Sequence, residues 1–320
     1  YMSLTGLTLA TFTPTLATPF TQVVPFAKQS GSINQLFNDS TAIHPYVGTF
    51  YSRPTVYRKF GFDRFMYLGS RYKIRHQKKI DRSPYLSDET SYENVEDQLK
   101  RNRKAQFISL VTMQNHFPYT EHFYNGANKY QASISGSKTD SETVAQYAMG
   151  IHYTDQAVQQ FIKKIDQMKQ PITVVFYGDH LPGIYQNDMS RDGLKLHETD
   201  YFIYSNLAAR RQGAKQFIHN LRIVSPNDFI AMMAEQTNSK VTPYMALLTK
   251  VYQDLPAVSL KTSNADANGY HSAPQFTNEH GKVVSQKHFS KSQKELWHDY
   301  LLVQYDMTAG HHYLEKNFLK

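Results

Sequence analysis

A chain of 320 residues is long enough to bury a full hydrophobic core and to form one large or two ordinary domains. With 40% hydrophobic residues it reads as globular, and no window holds the roughly 18 uninterrupted apolar residues of a membrane span. Zero cysteines exclude disulfides, thiolate zinc sites and cysteine nucleophiles, while a formal charge of +8 favours phosphate esters, anionic lipid headgroups or nucleic acid as partners.

Residues 1–30 are rich in Thr, Pro and apolar side chains, and Thr13-Pro14 and Thr18-Pro19 interrupt regular structure, so a packed loop is expected there. A short helix over Ile33–Phe37 precedes a strand, Thr41–Ile43, that runs into His44-Pro45. Phe50–Phe60 reads as a helix with Gly61 as its stop. Residues 69–104 are charged and Tyr-rich, and the basic run Lys73–Lys79 reads as a solvated loop that could also touch phosphates. A second strand, Phe107–Met113, leads into Gln114-Asn115-His116-Phe117-Pro118. Apolar residues at helical spacing, from Val144 and Ala148 to Phe161 and Ile165, predict a helix over about Ser141–Met168. It connects to a third strand, Ile172–Tyr177, whose β-branched and aromatic run suits burial on both faces of a parallel sheet. This is the pattern of a β-α-β unit.

Beyond the third strand, Gly178 lets the chain turn before Asp179-His180, and the Gly-, Pro- and Asn-rich residues Leu181–Lys195 are expected to form a loop over the site. His197 precedes another strand, Tyr201–Tyr204, and so stands at the opposite end from the other histidines unless that strand is antiparallel or its loop folds back. Helices are expected over Asn227–Gln236, Pro243–Tyr252 and Glu295–Tyr305. The polar stretch Ser259–Ser292, with turn signals at Asn264–Gly269 and His280-Gly281, reads as a hairpin or a small appended layer.

Three strand ends therefore each deliver a histidine: His44, His116 and His180. If the strands are parallel neighbours, all three imidazoles gather on one edge of the sheet, where ligands of α/β proteins bind. An Asp-His pair after a strand serves either as ligands for Mn²⁺, Mg²⁺ or Zn²⁺ or as a turn that caps a helix. A divalent ion, imidazoles and a basic surface suit phosphoryl or sulfuryl ester transfer, with Arg53 as a bidentate phosphate clamp. No phosphate-cradling glycine loop, dinucleotide fingerprint or Gly-x-Ser-x-Gly elbow is present. The 23 tyrosines are dispersed and do not interleave with Arg and Lys in one stripe, which argues against nucleic acid.

Asn115-His116-Phe117-Pro118, Tyr177-Gly178-Asp179-His180, His44 followed by Phe50-Tyr51-Ser52-Arg53, and Tyr57–Asp63 together resemble the extracellular catalytic domain of lipoteichoic acid synthases. Those enzymes belong to the sulfatase and alkaline-phosphatase-like superfamily. The resemblance covers about residues 1–255 and implies an α/β fold, a mostly parallel central sheet with helices on both faces, followed by a small C-terminal β/α subdomain over 256–320. It implies a manganese-dependent phosphoglycerol transferase, with Mg²⁺ as the alternative ion. Glycerol phosphate would pass from phosphatidylglycerol, through a covalent threonine ester, to a polymer or glycolipid at the extracellular face of a membrane. By that likeness Asp179 and His180 are metal ligands, and His44, Tyr51, Arg53 and His116 contact the glycerol phosphate. Tyr51 stands where the family commonly has tryptophan. The likeness also places the nucleophilic threonine just upstream of Tyr1, with a further glutamate ligand earlier still. The catalytic residue is therefore unknown within this sequence, and the chain is expected to be a fragment that lacks its first strand, binds Mn²⁺ weakly and is inactive or nearly so. A hydrolase of the same superfamily and a non-catalytic polyanion-binding module are the competing readings.

Overall fold

The computed structural model describes residues 1–16, 18–27, 30–101, 104–119, 122–131, 140–215, 223–260, 274–314 and 316–319. The chain opens with two short helices, α1 (Met2–Thr5) and α2 (Pro19–Gln22), and a 3₁₀ turn at Ile33–Leu36. The first half continues β1 (Asp39–Val47), α3 (Arg53–Lys59), β2 (Arg64–Leu68), α4 (Asp88–Arg101), β3 (Gln106–Leu110), α5 (Ser141–Asp166) and β4 (Thr173–Tyr177). The second half runs α6 (Met189–Leu196), β5 (Tyr201–Ser205), α7 (Leu207–Arg211), α8 (Phe229–Thr237) and α9 (Pro243–Asp254). It closes with β6 (Ala257–Leu260), β7 (Pro274–Thr277), β8 (Val283–Val284), α10 (Lys291–Thr308) and α11 (Lys316–Leu319).

The parallel sheet has the order β2-β1-β3, with Ile43 opposite Met66 on one side and Leu110 on the other. Side chains alternate across it, as strand geometry requires. Ala42, Phe65 and Phe107 face a cluster with Val56 and Tyr57 of α3, Phe229 and Ile230 of α8, and Leu248 of α9. Ile43, Met66 and Ile108 face the opposite cluster with Tyr92 of α4 and Phe161 and Ile165 of α5. Helices thus cover both faces, and β1 is buried through its first seven residues. Asp39 at its start is held by Arg64 and Arg101.

Several boundaries depart from the sequence reading. His44 lies inside β1, not beyond it, and the register with β2 breaks between His44 and Val47. Pro45 has no N–H to donate to the ladder, which accounts for the break. β4 is joined to β3 by α5, as expected, yet among the described residues it pairs only with β5, antiparallel, Tyr177 opposite Tyr201. The far edges of β3 and β4 carry no described ladder, and every residue of both strands stays partly exposed. Both nonetheless pack on α5, through Ile108 and Leu110 from one and Val174 from the other.

Two helices lie in stretches whose polarity hides them. α4 buries Asp88, Thr90, Ser91, Asn94 and Glu96 beside Tyr92 and Val95, so tertiary hydrogen bonds add to a narrow apolar stripe. α6 occupies part of the loop expected over Leu181–Lys195. At the C-terminal end β6, β7 and β8 form an antiparallel sheet with a turn over Asn278–Lys282, while the turn signal at Asn264–Gly269 lies outside the described residues. Trp297 and Tyr300 of α10 join the cluster of α8 and α9, and the Tyr300 hydroxyl donates to the Gly6 carbonyl at 2.7 Å. Among the described residues no helix is long and apolar enough to cross a membrane.

Ile43 is fully buried between the central sheet and α5. Ile43→Ala is expected to lower stability by about 2–5 kcal/mol, read from chemical denaturation, because the packed helices cannot collapse into the space.

Candidate active site

The carboxyl ends of β1, β3 and β4 open onto one region. The rings of His116 and His180 lie 5.7 Å apart, and His116 stands 5.8 Å from Tyr85. Tyr46, two residues after His44, packs on Tyr85 at 5.7 Å. The three histidines predicted from the strand ends are therefore brought together with Asp179, whose carboxylate lies 3.7 Å from His180 Nε2. Arg53 at the start of α3 is close enough to His44 to act on it electrostatically.

One device orients all three imidazoles. His44 Nδ1 donates to the Val111 carbonyl at 2.9 Å, His116 Nδ1 to the Phe117 carbonyl at 2.9 Å and His180 Nδ1 to the Leu181 carbonyl at 2.8 Å. A carbonyl can only accept, so each Nδ1 carries the proton and each Nε2 is left for a ligand. His44 Nε2 is buried and has no hydrogen-bond partner among the described residues. Burial lowers the His44 pKa to about 4, helped by the Arg53 charge and opposed by Asp179. His44 is consequently a neutral acceptor at physiological pH, suited to a substrate hydroxyl.

The His116 loop is fixed from behind. The Gln114 side chain accepts the Asp88 N–H at 2.9 Å and donates to the Gly150 carbonyl and Thr154 Oγ1, both at 3.0 Å. The Thr154 hydroxyl donates to the Asp88 carboxylate at 2.6 Å, and burial raises Asp88 to a pKa of about 6. The Phe117–Pro118 peptide bond in this loop is cis.

Tyr51 and Ser52 both take left-handed backbone angles, with φ of 57° and 52°, and this turn swings the Arg53 guanidinium to 5.0 Å from the Tyr51 ring. Tyr57, one helical turn on, hydrogen-bonds Arg53 from a buried position. Arg53 Nε is buried and unpartnered among the described residues. Sequence reasoning quoted Tyr57 and Tyr177 within motifs but gave neither a place at the site, and it passed over Ser3, whose hydroxyl meets that of Tyr177 at 2.6 Å. The i, i+4 spacing of Arg53 and Tyr57 could have found the first. The other pair is joined only by the fold. β5 runs antiparallel to β4, so residues 197–200 also return to the Asp179 edge. Gly178 makes room there, since a Cβ at that position would collide with Thr199.

Tyr1 adds a further constraint. Its backbone nitrogen is buried and lies near enough to Asp179 to feel that charge. The beginning of the described chain thus lies within electrostatic reach of Asp179.

An α/β sheet that gathers imidazoles, a guanidinium and an Asp-His pair beyond its strand ends has the chemistry of a site for an anionic ester. The chain belongs to the sulfatase family, whose profile matches residues 1–239. A Rhizobium meliloti protein named for cyclic β-1,2-glucan modification is 25% identical over 296 residues, 88% of this chain and 42% of the relative. The lipoteichoic acid synthase of Staphylococcus saprophyticus is 27% identical over 150 residues, 46% of this chain and 22% of that protein. This chain therefore spans less than half the length of either relative. Among solved structures, the Streptococcus pyogenes phosphoglycerol transferase GacH in complex with sn-glycerol-1-phosphate superposes with a TM-score of 0.78 and 28% identity, covering 100% of this chain and 75% of that one. Proteins of this superfamily are metal-dependent. Asp179 and His180 have the donor chemistry for a divalent ion. Among the described residues, however, no group of three or more His, Cys, Asp or Glu side chains converges as a metal site would require, so these two supply a partial set.

The depressed His44 pKa makes stability pH-dependent with a definite sign. The unfolded chain takes up this proton near pH 6.5 and the folded chain only near 4, so the His44 contribution is full above 6.5 and is lost as pH falls toward 4. Buried Asp88 and Asp228, with pKa values raised to about 6 and about 7, act in the opposite sense. The stability of the wild type relative to His44→Gln is therefore expected to fall by up to about 3 kcal/mol between pH 6.5 and 4, measured by urea denaturation across that range.

Proposed function

We propose that this chain is the greater part of a phosphoglycerol transferase domain that takes glycerol phosphate from phosphatidylglycerol for lipoteichoic acid or a related glycerol phosphate polymer. The observation that carries the reading is the convergence of three Nδ1-anchored histidines and Arg53 on the Asp179 edge of the sheet. The likeness to GacH, a phosphoglycerol transferase bound to sn-glycerol-1-phosphate, supports it.

On this reading Arg53 clamps the phosphate oxygens, Tyr51 packs on the glycerol, and His44 Nε2 accepts a hydrogen bond from a glycerol hydroxyl. His116 Nε2 faces the ester; unprotonated at rest, it takes the proton of the attacking hydroxyl and returns it to the diacylglycerol oxygen as that oxygen's bond to phosphorus breaks. The nucleophile is a hydroxyl whose oxygen forms the new bond to phosphorus, and a second hydroxyl, on the acceptor polymer or glycolipid, later displaces it. A divalent ion, manganese or alternatively magnesium, would neutralise phosphate charge with Asp179 and His180 as ligands from this chain. On this reading the nucleophile is a threonine just ahead of Tyr1 in a longer protein. Residues 1–255 would then be the catalytic unit and 256–320 a C-terminal subdomain. The site would act at the extracellular face of the membrane, from an anchor outside this chain or after cleavage.

The test is release of diacylglycerol from phosphatidylglycerol in the presence of Mn²⁺. A protein extended upstream of Tyr1 is expected to be active, to lose activity with Asp179→Ala, and to surpass the present chain by orders of magnitude. In the present chain, Arg53→Ala is expected to weaken sn-glycerol-1-phosphate binding about 10- to 100-fold by calorimetry. Robust diacylglycerol release by the present chain would place the nucleophile within residues 1–320 and refute the upstream assignment. Free glycerol phosphate as the sole product, with no transfer to an acceptor, would instead favour the hydrolase.

A further inference from the structure

We propose that the rim of this site is a membrane-docking surface, built from an exposed aromatic arc and a basic strap, whose occupant is an anionic lipid bilayer. Large aromatic side chains are normally turned inward, yet Phe50 is 53%, Tyr51 56% and Phe117 49% exposed. They are not scattered. Phe50 stacks on Tyr46 at 6.0 Å, Tyr46 packs on Tyr85 at 5.7 Å, Tyr85 on His116 at 5.8 Å, and His116 on Phe117 at 4.3 Å. The exposed rings therefore sit at the two ends of one arc around the catalytic edge.

The segment between β2 and α4 follows the same arc. It leaves β2 beside the Phe50 loop, because Val47 pairs with Leu68 and Gly48 packs against the Tyr67 ring. It ends beneath Phe117, where the Tyr85 hydroxyl donates to the Phe117 carbonyl at 2.7 Å. Buried Ile74 pins it to the core, and Asn94 and Thr90 of α4 hold the carbonyls of His76 and Lys78. Between these anchors Arg71, Lys73, Arg75, Lys78, Lys79 and Arg82 are all exposed, with Asp81 the single acidic residue of the strap.

Aromatic rings that sit at headgroup depth beside lysines and arginines facing lipid phosphates are the signature of an interfacial surface. Charge complementarity selects an anionic bilayer over a zwitterionic one, and the rings select a bilayer over a soluble polyanion, which offers them nothing apolar. The choice of phosphatidylglycerol as the lipid rests on the transferase reading. That substrate keeps its acyl chains in the bilayer, so the mouth of the site has to reach the headgroup plane.

Sedimentation with phosphatidylcholine vesicles, with and without phosphatidylglycerol, tests the surface. The wild-type chain is expected to sediment with the anionic vesicles only, and less so as salt rises. The triple variant R71E/K73E/R75E should lose on the order of 100-fold in vesicle affinity, and Phe50→Ser should lose at least about threefold, with unchanged circular dichroism. Both should keep wild-type affinity for sn-glycerol-1-phosphate, since neither replaces a residue that holds it and the Arg53 guanidinium meets Phe50 through its backbone carbonyl, which Phe50→Ser retains. Wild-type vesicle binding by both variants would overturn the proposal. So would binding that inorganic polyphosphate abolishes equally in the wild type and Phe50→Ser, because the surface would then read charge alone. Retained vesicle binding by a wild type with no measurable sn-glycerol-1-phosphate affinity would sink the transferase reading and leave the docking surface standing.

Discussion

The hydrogen bond from His44 Nδ1 to the Val111 carbonyl holds the site to the fold. It joins the central strand β1 to the residue immediately beyond β3, at the point where the His116 loop begins. Because the carbonyl can only accept, the bond also decides the tautomer, and the buried Nε2 is left as an acceptor without a described partner. The same solution recurs at His116 and His180. Three imidazoles on three different segments are thus oriented by backbone, which moves far less than side chains do.

Burial and charge then divide the labour. His44, deep in the sheet and near Arg53, stays neutral, while His180 and Asp179 remain roughly half exposed and open to solvent. The site accordingly has a dry, hydrogen-bonding floor and a wet, ion-competent lip. The left-handed turn at Tyr51 and Ser52 belongs to the lip. It carries backbone conformations that non-glycine residues seldom take, and in return it lays the Arg53 guanidinium beside an aromatic ring at the mouth. The buried network of Asp88, Gln114 and Thr154 gives the His116 loop the rigid backing that a loop-borne functional group needs.

The sheet is uneven in a way that matters for function. β1 is sealed on both faces and both edges, whereas β3 and β4 each present an edge without a described partner, although one helix, α5, packs on both. The candidate site therefore lies where the described sheet is least continuous.

What the sequence determined by itself was carried by local signals. Apolar β-branched runs ending in His or Asp-His marked β3 and β4, 3.6-residue spacing marked α5, and the order of short motifs marked the family. Those signals depend on neighbours within a few residues, so they survive without coordinates. The tertiary structure alone decided the rest. α4 was hard to read because beside Tyr92 and Val95 its buried face carries Asp, Thr, Ser, Asn and Glu, of which Asp88, Thr90 and Asn94 become core residues only once Gln114, Thr154 and the strap supply hydrogen bonds. The direction of β5, and with it the return of residues 197–200 to the Asp179 edge, was set by strand pairing, a long-range choice that no local pattern encodes. The joining of Phe50 and Phe117 in one exposed arc likewise required the rings of Tyr46 and Tyr85 to meet, residues separated in sequence and made neighbours by the packing of the strap against the sheet.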